Sequence, residues 1–368
     1  MSLLMEMHLY QMRAFIRMFK FMPKIVLGNI SRLIIHSIGN KSTADGVRLC
    51  DELSNYENVA DNLNKLITTN FKFDELYQFY SSLDLSLNRV YTIIKTMFEH
   101  THIDDFINQS KNMGRYLYEK SSHPQIKAGE LGIFYLADCT VDNEIVDCIG
   151  IFKSENKQKI LKVEDKQTGY DLADIEGLSI HKLDKGCLIF NLHKEQGYLV
   201  AIVDNTNRRA EAKYWTDDFL SIRPINNDYH QTTHIMESAK QFIAQTIDAD
   251  DEASKSEKIG LLNRSVDYFK NNEQFDLQQF EQEVFAQDDL IQKYQDFSQN
   301  YAQENQLEPV RNFDISPKAV KKQEKYFKSV VKLDKNFHIY IHGGKDMIEK
   351  GRDDDGRKFY KIYYQEEN

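Results

Sequence analysis

Five lysines recur at helical spacings of three, one, three and three close to the C-terminus: Lys318, Lys321, Lys322, Lys325 and Lys328. That spacing spreads ammonium groups over a broad helix face suited to backbone phosphates, which reward charge and require no base code. Lys358 and Lys361 follow in a stretch where Tyr340, Phe359, Tyr360, Tyr363 and Tyr364 interleave with them. Lysine is a compact point charge without a rigid fork, so the pattern implies no reading of base sequence. The plainer interpretation of the same residues is a solvated lysine-rich helix beside a Tyr/Phe sheet core.

Other chemistry has thinner support. An acid followed one hairpin later by E-x-K is the arrangement of some metal-dependent nucleases. The carboxylates would hold the metal, and the lysine would stabilise the attacking hydroxide or the developing charge. Asp138, Asp142 or Asp147 would supply the first acid, and Glu155-Asn156-Lys157 or Glu164-Asp165-Lys166 the second part. With 28% charged residues such triplets arise by chance, so no catalytic residue is assigned.

Histidines also come in pairs. His338 and His342 would lie about 13 Å apart on one face of a strand, too far for one metal. His100 and His102 fall between helices, and His230 and His234 would share a helix face if that helix begins early. Zinc needs three or four converging ligands, so each pair reads as ordinary surface histidine. Asp353-Asp354-Asp355-Gly356 opens like a calcium loop. Its sixth position is Lys358 and its twelfth Tyr364, where glycine and glutamate are required, so it reads as an acidic hairpin turn. No phosphate-loop, dinucleotide-binding, nucleophile-elbow or H-E-x-x-H motif occurs. No cofactor and no metal is expected.

The chain of 368 residues has 41% hydrophobic and 12% aromatic residues, enough for packed cores and too long for a single ordinary one. Its 16 glycines and 5 prolines leave little room for structureless linkers. Four cysteines without a C-x-x-C exclude a disulfide scaffold and a zinc ribbon, and point to a reducing cytoplasm. No run of about eighteen apolar residues marks a membrane span. The net charge of −10 hides a strong asymmetry. Residues 245–308 hold 15 acids against 5 bases, whereas residues 311–361 hold 14 bases against 8 acids. Local field decides what binds, because charges beyond about 10 Å are screened at ordinary salt.

The elements that would position these groups follow from periodicity. Residues 1–24 carry Arg13, Arg17, Lys20 and Lys24 on one helical stripe and read as an extension from an upstream start. Residues 25–38 are β-branched and apolar, a buried strand ending at Gly39-Asn40. Helical stripes follow at Val59, Leu63, Leu66 and Ile67; from Leu76, Phe79 and Tyr80; at Val90, Ile93, Ile94, Met97 and Phe98; and over 106–118. The segments 132–138, 145–153, 159–163, 187–193 and 198–204 are strands with short connections, hence an antiparallel meander. Helical periodicity returns over 233–307. There the three-four series from Leu277 to Tyr301 reads as intramolecular packing and the many Gln/Asn as a solvated face. Ser316-Pro317 starts the lysine helix, with Ser as N-cap, and 336–342 and 358–364 alternate as strands. The class is α+β: an extension over 1–24, an N-terminal α+β domain over 25–230, an acidic helical segment over 231–308 and a basic C-terminal unit over 309–368.

The stretch 328–367 resembles the bacterial nucleoid-associated family of the 37-kDa nucleoid protein. The likeness rests on Leu333-Asp334-Lys335-Asn336-Phe337, the strand through His342, the turn with Gly351, Asp353, Asp355 and Gly356, and Phe359-Tyr360-Lys361. Ile34-Ile35-His36-Ser37-Ile38-Gly39-Asn40 is similar to the family's opening strand and Gly129-Glu130-Leu131 to its mid-chain sheet entry, so the likeness runs from Ile25 to Tyr364. The resemblance implies a cytoplasmic, nucleoid-located protein that associates with double-stranded DNA. It carries over no catalytic residues.

The expectation is therefore non-catalytic, sequence-tolerant association with double-stranded DNA through Lys318, Lys321, Lys322, Lys325, Lys328, Lys358 and Lys361, assisted by Arg32, Lys41 and Arg48. No membrane partner is expected. A homodimer would double the phosphate contacts and raise avidity. The rivals are a nuclease built on Asp147, Glu155 and Lys157 and an adaptor that reaches the nucleoid through another protein.

Overall fold

The computed structural model describes residues 23–206, 214–246, 252–305, 307, 310–327, 329–333, 337–341, 348–364 and 366. The cationic extension through Met22 and the sequence around Lys328, His342 and Gly343-Gly344 lie outside the described residues. The protein is α+β, with antiparallel pairing throughout its sheets, and divides into two compact units, 22–225 and 226–368.

In chain order the first unit contains β1 (Ile25–Val26), β2 (Asn29–Ile38), β3 (Val47–Arg48), α1 (Ala60–Asn70), β4 (Tyr77–Phe79), α2 (Arg89–Glu99), α3 (Ile103–Lys120), β5 (Gly129–Val141), β6 (Glu144–Ser154), β7 (Gln158–Lys166), β8 (Gly169–Gly177), β9 (Lys185–Phe190), β10 (Leu199–Asp204), a π-helical turn (Tyr214–Leu220) and β11 (Ile222–Pro224). The strands form a sheet in the order β11-β4-β10-β9-β6-β5-β2-β3, with β1 on the far end of β5. The expected meander is its centre, β5-β6-β9-β10, and the β7–β8 hairpin is inserted between β6 and β9.

Apolar alternation decides which face each side chain takes. Ile34, Ile133, Ile149, Ile151 and Ile189 point to one face and are sealed by Val90, Ile94 and Met97 of α2 and Phe106, Met113 and Leu117 of α3. On the other face Phe134 and Phe152 pair at 4.6 Å, with Phe71 5.7 Å from Phe152 and Phe73 6.2 Å from Phe190. Strand β9 is consequently buried along its whole length. Asn88 joins helix to sheet: its Oδ1 accepts from the Tyr91 amide at the start of α2, and its Nδ2 donates to the carbonyls of Leu220 and Ser221.

The helix expected from Leu76, Phe79 and Tyr80 is instead strand β4. It pairs with β10 and β11, and the Phe79 amide donates to the Gly197 carbonyl at 2.8 Å. Gly197 holds φ +102°, and a Cβ there would lie 2.3 Å from the Phe79 carbonyl oxygen, so only glycine lets the strands close. Tertiary pairing overrides a three-residue helical spacing here. Strand β8 was not anticipated, because exposure of both hairpin faces removes the buried alternation that marks a strand. Leu161, Val163, Tyr170 and Leu172 are all exposed on it.

Two lysines lie entirely inside this unit. Lys153 of β6 and Lys185 of β9 are register partners, and each is 0% exposed. Lys153 Nζ donates to Glu155 Oε1 at 2.9 Å, to the Lys127 carbonyl at 2.8 Å and to the Tyr214 hydroxyl at 3.1 Å. Lys185 Nζ donates to Asp204 Oδ1 at 3.0 Å and to Thr206 Oγ1 at 2.5 Å. Both ammonium groups sit over the Tyr214 ring, at 5.4 and 5.3 Å. Asp184 completes the network by accepting from the amides of Glu155 and Asn156 and from Asn156 Nδ2. Burial pulls the Lys153 ammonium below its usual pKa, and Glu155 opposes the shift.

The second unit contains α4 (Asp228–Thr246), α5 (Glu252–Asn271), β12 (Gln274–Asp276), α6 (Leu277–Val284), α7 (Asp288–Glu304), β13 (Asn312–Asp314), α8 (Pro317–Gln323) and two hairpins. These are β14 (Ser329–Leu333) with β15 (Phe337–Ile341), and β16 (Ile348–Arg352) with β17 (Lys358–Ile362). The three-four series runs through α6 and α7 and buries Phe280, Val284, Ile291, Tyr294 and Tyr301, the intramolecular packing expected of it. Phe242, Phe269, Phe275, Phe280, Phe285 and Tyr294 make an aromatic core, closed by Phe313, Ile315, Val320 and Phe327. The helices of 231–308 thus share one core with the start of the basic segment.

Removing one partner from a buried ion pair strands the other charge, so Lys153→Met should cost about 3–5 kcal/mol of unfolding free energy. Lys153→Met combined with Glu155→Leu should recover most of that loss in denaturant titration. An additive double loss would show that the two groups are not coupled.

His36 is also buried. Its Nδ1 accepts from the Cys50 amide at 3.1 Å, and its Nε2 contacts Ser110 Oγ at 3.0 Å. Burial first, then Lys111 and Arg115, lower its pKa to about 4. Between about 6.5 and 4 the unfolded chain binds this proton more readily, so stability is complete above the window and falls as pH drops through it. The thermal midpoint of the wild type should therefore fall more steeply across that window than that of His36→Gln; equal slopes would sink the assignment.

Candidate nucleic-acid interface

Ser316 caps α8 as expected: it has extended backbone, its hydroxyl accepts from the Ala319 amide, and Pro317 takes the first helical position. The helix is short, and a 3-10 turn, Glu324–Tyr326, continues it. Ala319, Val320, Gln323 and Phe327 are buried and anchor one side. Lys318, Lys321, Lys322 and Lys325 are exposed on the other. Polar ties fix the anchored side. The Ser316 amide donates to Thr232 Oγ1 at 3.0 Å, Gln323 Nε2 donates to Glu237 Oε1 at 3.0 Å, and Lys270 pairs with Glu324 at 2.6 Å. The lysines therefore stand on a backbone held at three points.

Sequence spacing missed several members of this surface. Lys240 of α4 lies 5.2 Å from the Tyr326 ring, and Lys325 lies 5.2 Å from the same ring. Lys322 lies 5.5 Å from the ring of Tyr229. Tyr326 is 53% exposed, leaving part of an aromatic face open among the cations. Lys240 precedes Lys325 by 85 residues, and no local pattern in the sequence links them.

Lys358 and Lys361 belong to the β16–β17 hairpin and are exposed. Lys361 is shared: Glu349 Oε2 is 3.7 Å from its Nζ, and the Tyr363 ring is 4.8 Å away. The Tyr363 hydroxyl beside it, followed by the Glu349 charge, raises its pKa. Phe359, Tyr363 and Tyr364 are exposed, so this hairpin is not the covered Tyr/Phe core of the plainer reading. The acidic turn behaves as expected. Asp353 Oδ1 accepts from the Arg357 amide, Gly356 takes φ +79°, and the Arg357 side chain pairs with Asp353 and Asp355.

In the first unit, Lys41 and Arg48 are exposed, and Arg32 is half-buried. Its guanidinium lies over the rings of Tyr135, at 5.2 Å, and Phe106, at 5.9 Å. The nuclease constellation is not assembled either. Asp147 Oδ2 accepts from the Tyr135 hydroxyl, and Glu155 is eight residues further along the extended chain, about 26 Å away. Glu155 is engaged by Lys153 and Tyr214, Lys157 by Glu130, and Glu164 and Lys166 by Lys162 and Asp171 on the exposed hairpin. Among the described residues no three His, Cys, Asp or Glu side chains gather where they could hold a metal ion, and no helix is long and apolar enough to cross a membrane.

His100 and His102 are exposed, as the sequence suggests. His230 and His234 are not an ordinary surface pair. The helix α4 begins at Asp228, which places both rings on one side, and His230 is only 6% exposed.

None of the curated proteins matches the chain. The model of the family described as nucleoid-associated protein YejK matches residues 34–357, nearly the whole sequence. That match spans both units, from strand β2 to the hairpin turn before Lys358, and by it the chain belongs to the YejK family of nucleoid-associated proteins.

Proposed function

We propose that within this nucleoid-associated role the chain binds double-stranded DNA directly, with little sequence preference and without catalysis, in the bacterial cytoplasm. The carrying observation is the rigidly mounted face of Lys318, Lys321, Lys322 and Lys325, all exposed while the opposite side of the short helix and of the turn that continues it is buried. Point charges on a fixed scaffold suit phosphates repeated along a backbone. Lys240 and the open ring of Tyr326 extend the surface. Lys358 and Lys361 add a second, weaker contact, since Glu349 already neutralises part of Lys361. Two copies in a homodimer would present two such faces to one duplex and multiply a modest affinity.

The carboxylates of residues 245–308 do not contradict this. With screening over about 10 Å, distant acids tune the approach of DNA more than the grip on it. They also discourage DNA from lying on the helical faces that carry them.

Binding of duplex DNA should weaken linearly in log–log form as salt rises, by about 0.9 in slope for each phosphate neutralised. Alanine at Lys318, Lys321, Lys322 and Lys325 together should flatten the slope by up to about 0.9 per lost contact, uniformly across unrelated sequences. Alanine at Lys358 and Lys361 should flatten it less. An unchanged slope in the quadruple variant would remove those residues from the interface, and no binding even at low salt would favour the protein-adaptor reading. Plasmid incubated with magnesium or manganese should stay intact; nicking that Glu155→Gln abolishes would establish the nuclease instead.

A further inference from the structure

The two histidines at the start of α4 meet at their ring nitrogens. Their Nε2 atoms are 2.7 Å apart, and their ring planes cross at 69° with centroids 4.1 Å apart. A head-on N–H···N bond would separate the centroids by 2.7 Å plus a ring radius at each end, about 5 Å. The observed centroids are closer, so the two rings meet at an angle and not end to end. The contact is a hydrogen bond between two imidazole nitrogens that stand a chelating distance apart, and a cation taking the place of the shared proton would meet both.

We propose that His230 and His234 bind one divalent transition-metal ion of the copper(II) or nickel(II) class through their Nε2 atoms, with water completing the coordination. At metal–nitrogen distances of about 2.0–2.1 Å, a 2.7 Å bite subtends about 80–85° at the metal. This is close to the right angle of tetragonal copper and nickel and well short of the tetrahedral angle that zinc prefers in proteins. Opening the bite by about 0.2 Å, a small side-chain rotation, would square it.

The surroundings fit. The spacing of four on a helix that begins at Asp228 fixes both rings on one side without a loop rearrangement. Binding requires the tautomer with each proton on Nδ1. His234 Nδ1 is a buried atom with no hydrogen-bond partner among the described residues, free to carry that proton without breaking a bond. The proton moves between nitrogens of one ring, so none need be released. Burial lowers both pKa values, that of His230 to about 3 with His234 adding to the effect. Tyr301 of α7 stands 6.4 Å from His234, and Glu237 one turn further along α4 is tied to Gln323. The carboxylate is thus an outer neighbour whose charge favours a cation.

The site differs in kind from the lysine face, and its failure would leave DNA binding standing. The full chain is titrated with copper(II) chloride and, separately, nickel(II) chloride, against zinc(II) chloride and an exposed-histidine control, His102→Gln. One equivalent of copper should bind, and its electron paramagnetic resonance spectrum should show splitting from two nitrogens. Thermal midpoint should rise by a few degrees with excess metal. His234→Gln should abolish the two-nitrogen splitting and the rise, with helical circular dichroism unchanged, whereas His102→Gln should leave both intact. His230→Gln should behave as His234→Gln, and the partly exposed His234 keeps the test open if His230→Gln fails to fold. Zinc should bind at least tenfold more weakly than copper. Absence of a bound equivalent at 100-fold excess copper, a spectrum without two equatorial nitrogens, or identical binding in His234→Gln would each overturn the site.

Discussion

The first unit depends on keeping two ammonium groups inside it. Strands β6 and β9 lie at the centre of the sheet, and both are buried where Lys153 and Lys185 stand. Lys153 and Lys185 meet there as direct cross-strand neighbours, a like-charge pair that would split the sheet if unanswered. Glu155, Asp204, the Tyr214 ring and hydroxyl, and the Lys127 carbonyl answer it. The same groups close the entrance and exit of the β7–β8 insertion, because Asp184 on the return path accepts from the amides of Glu155 and Asn156 on the outgoing one. One polar cluster thus sets where the central strands stop and where the hairpin begins.

The second unit solves a different problem. Its acids and bases are separated along the chain but joined in one core, where aromatic rings from α4 to α7 pack against Phe313, Val320 and Phe327. Acidic and amide side chains serve as fasteners for the basic segment: Glu237 holds Gln323, and Lys270 reaches across to Glu324. The lysines of α8 are left outward because their helix is too short to bury more than one side. A seven-residue helix has little stability of its own. The Ser316 cap and the buried Val320 and Phe327 supply what propensity does not.

Much of this was legible in the residues. Apolar runs located the strands of the central meander, three-four spacing located α6 and α7, and Ser316-Pro317 located the start of α8. What escaped was whatever depends on distant partners. Tyr77–Phe79 is a strand because Gly197 and Ser221 present backbone groups to it, a fact absent from its local spacing. Lys153 and Lys185 read as polar stops to apolar runs, and only the register reveals that they are interior. His230 reads as a surface residue until the helix start and its packing are known. Lys240 joins the lysine face from another helix, beyond any periodic signal. The heavily charged β7–β8 segment hid its second strand because neither face is covered.

That hairpin has an energetic consequence of its own. Strands β7 and β8 bond to each other and to no third strand among the described residues, and nearly every side chain on them is open to water. Two strands without a covering layer are marginal in water. Its ladder can therefore open while the lysine cluster at its root stays shut, giving amide exchange there a much lower protection than in β9. The molecule carries two grades of β-structure in one continuous stretch of chain, a permanent slab and a labile finger, and the boundary between them is a salt-bridged collar.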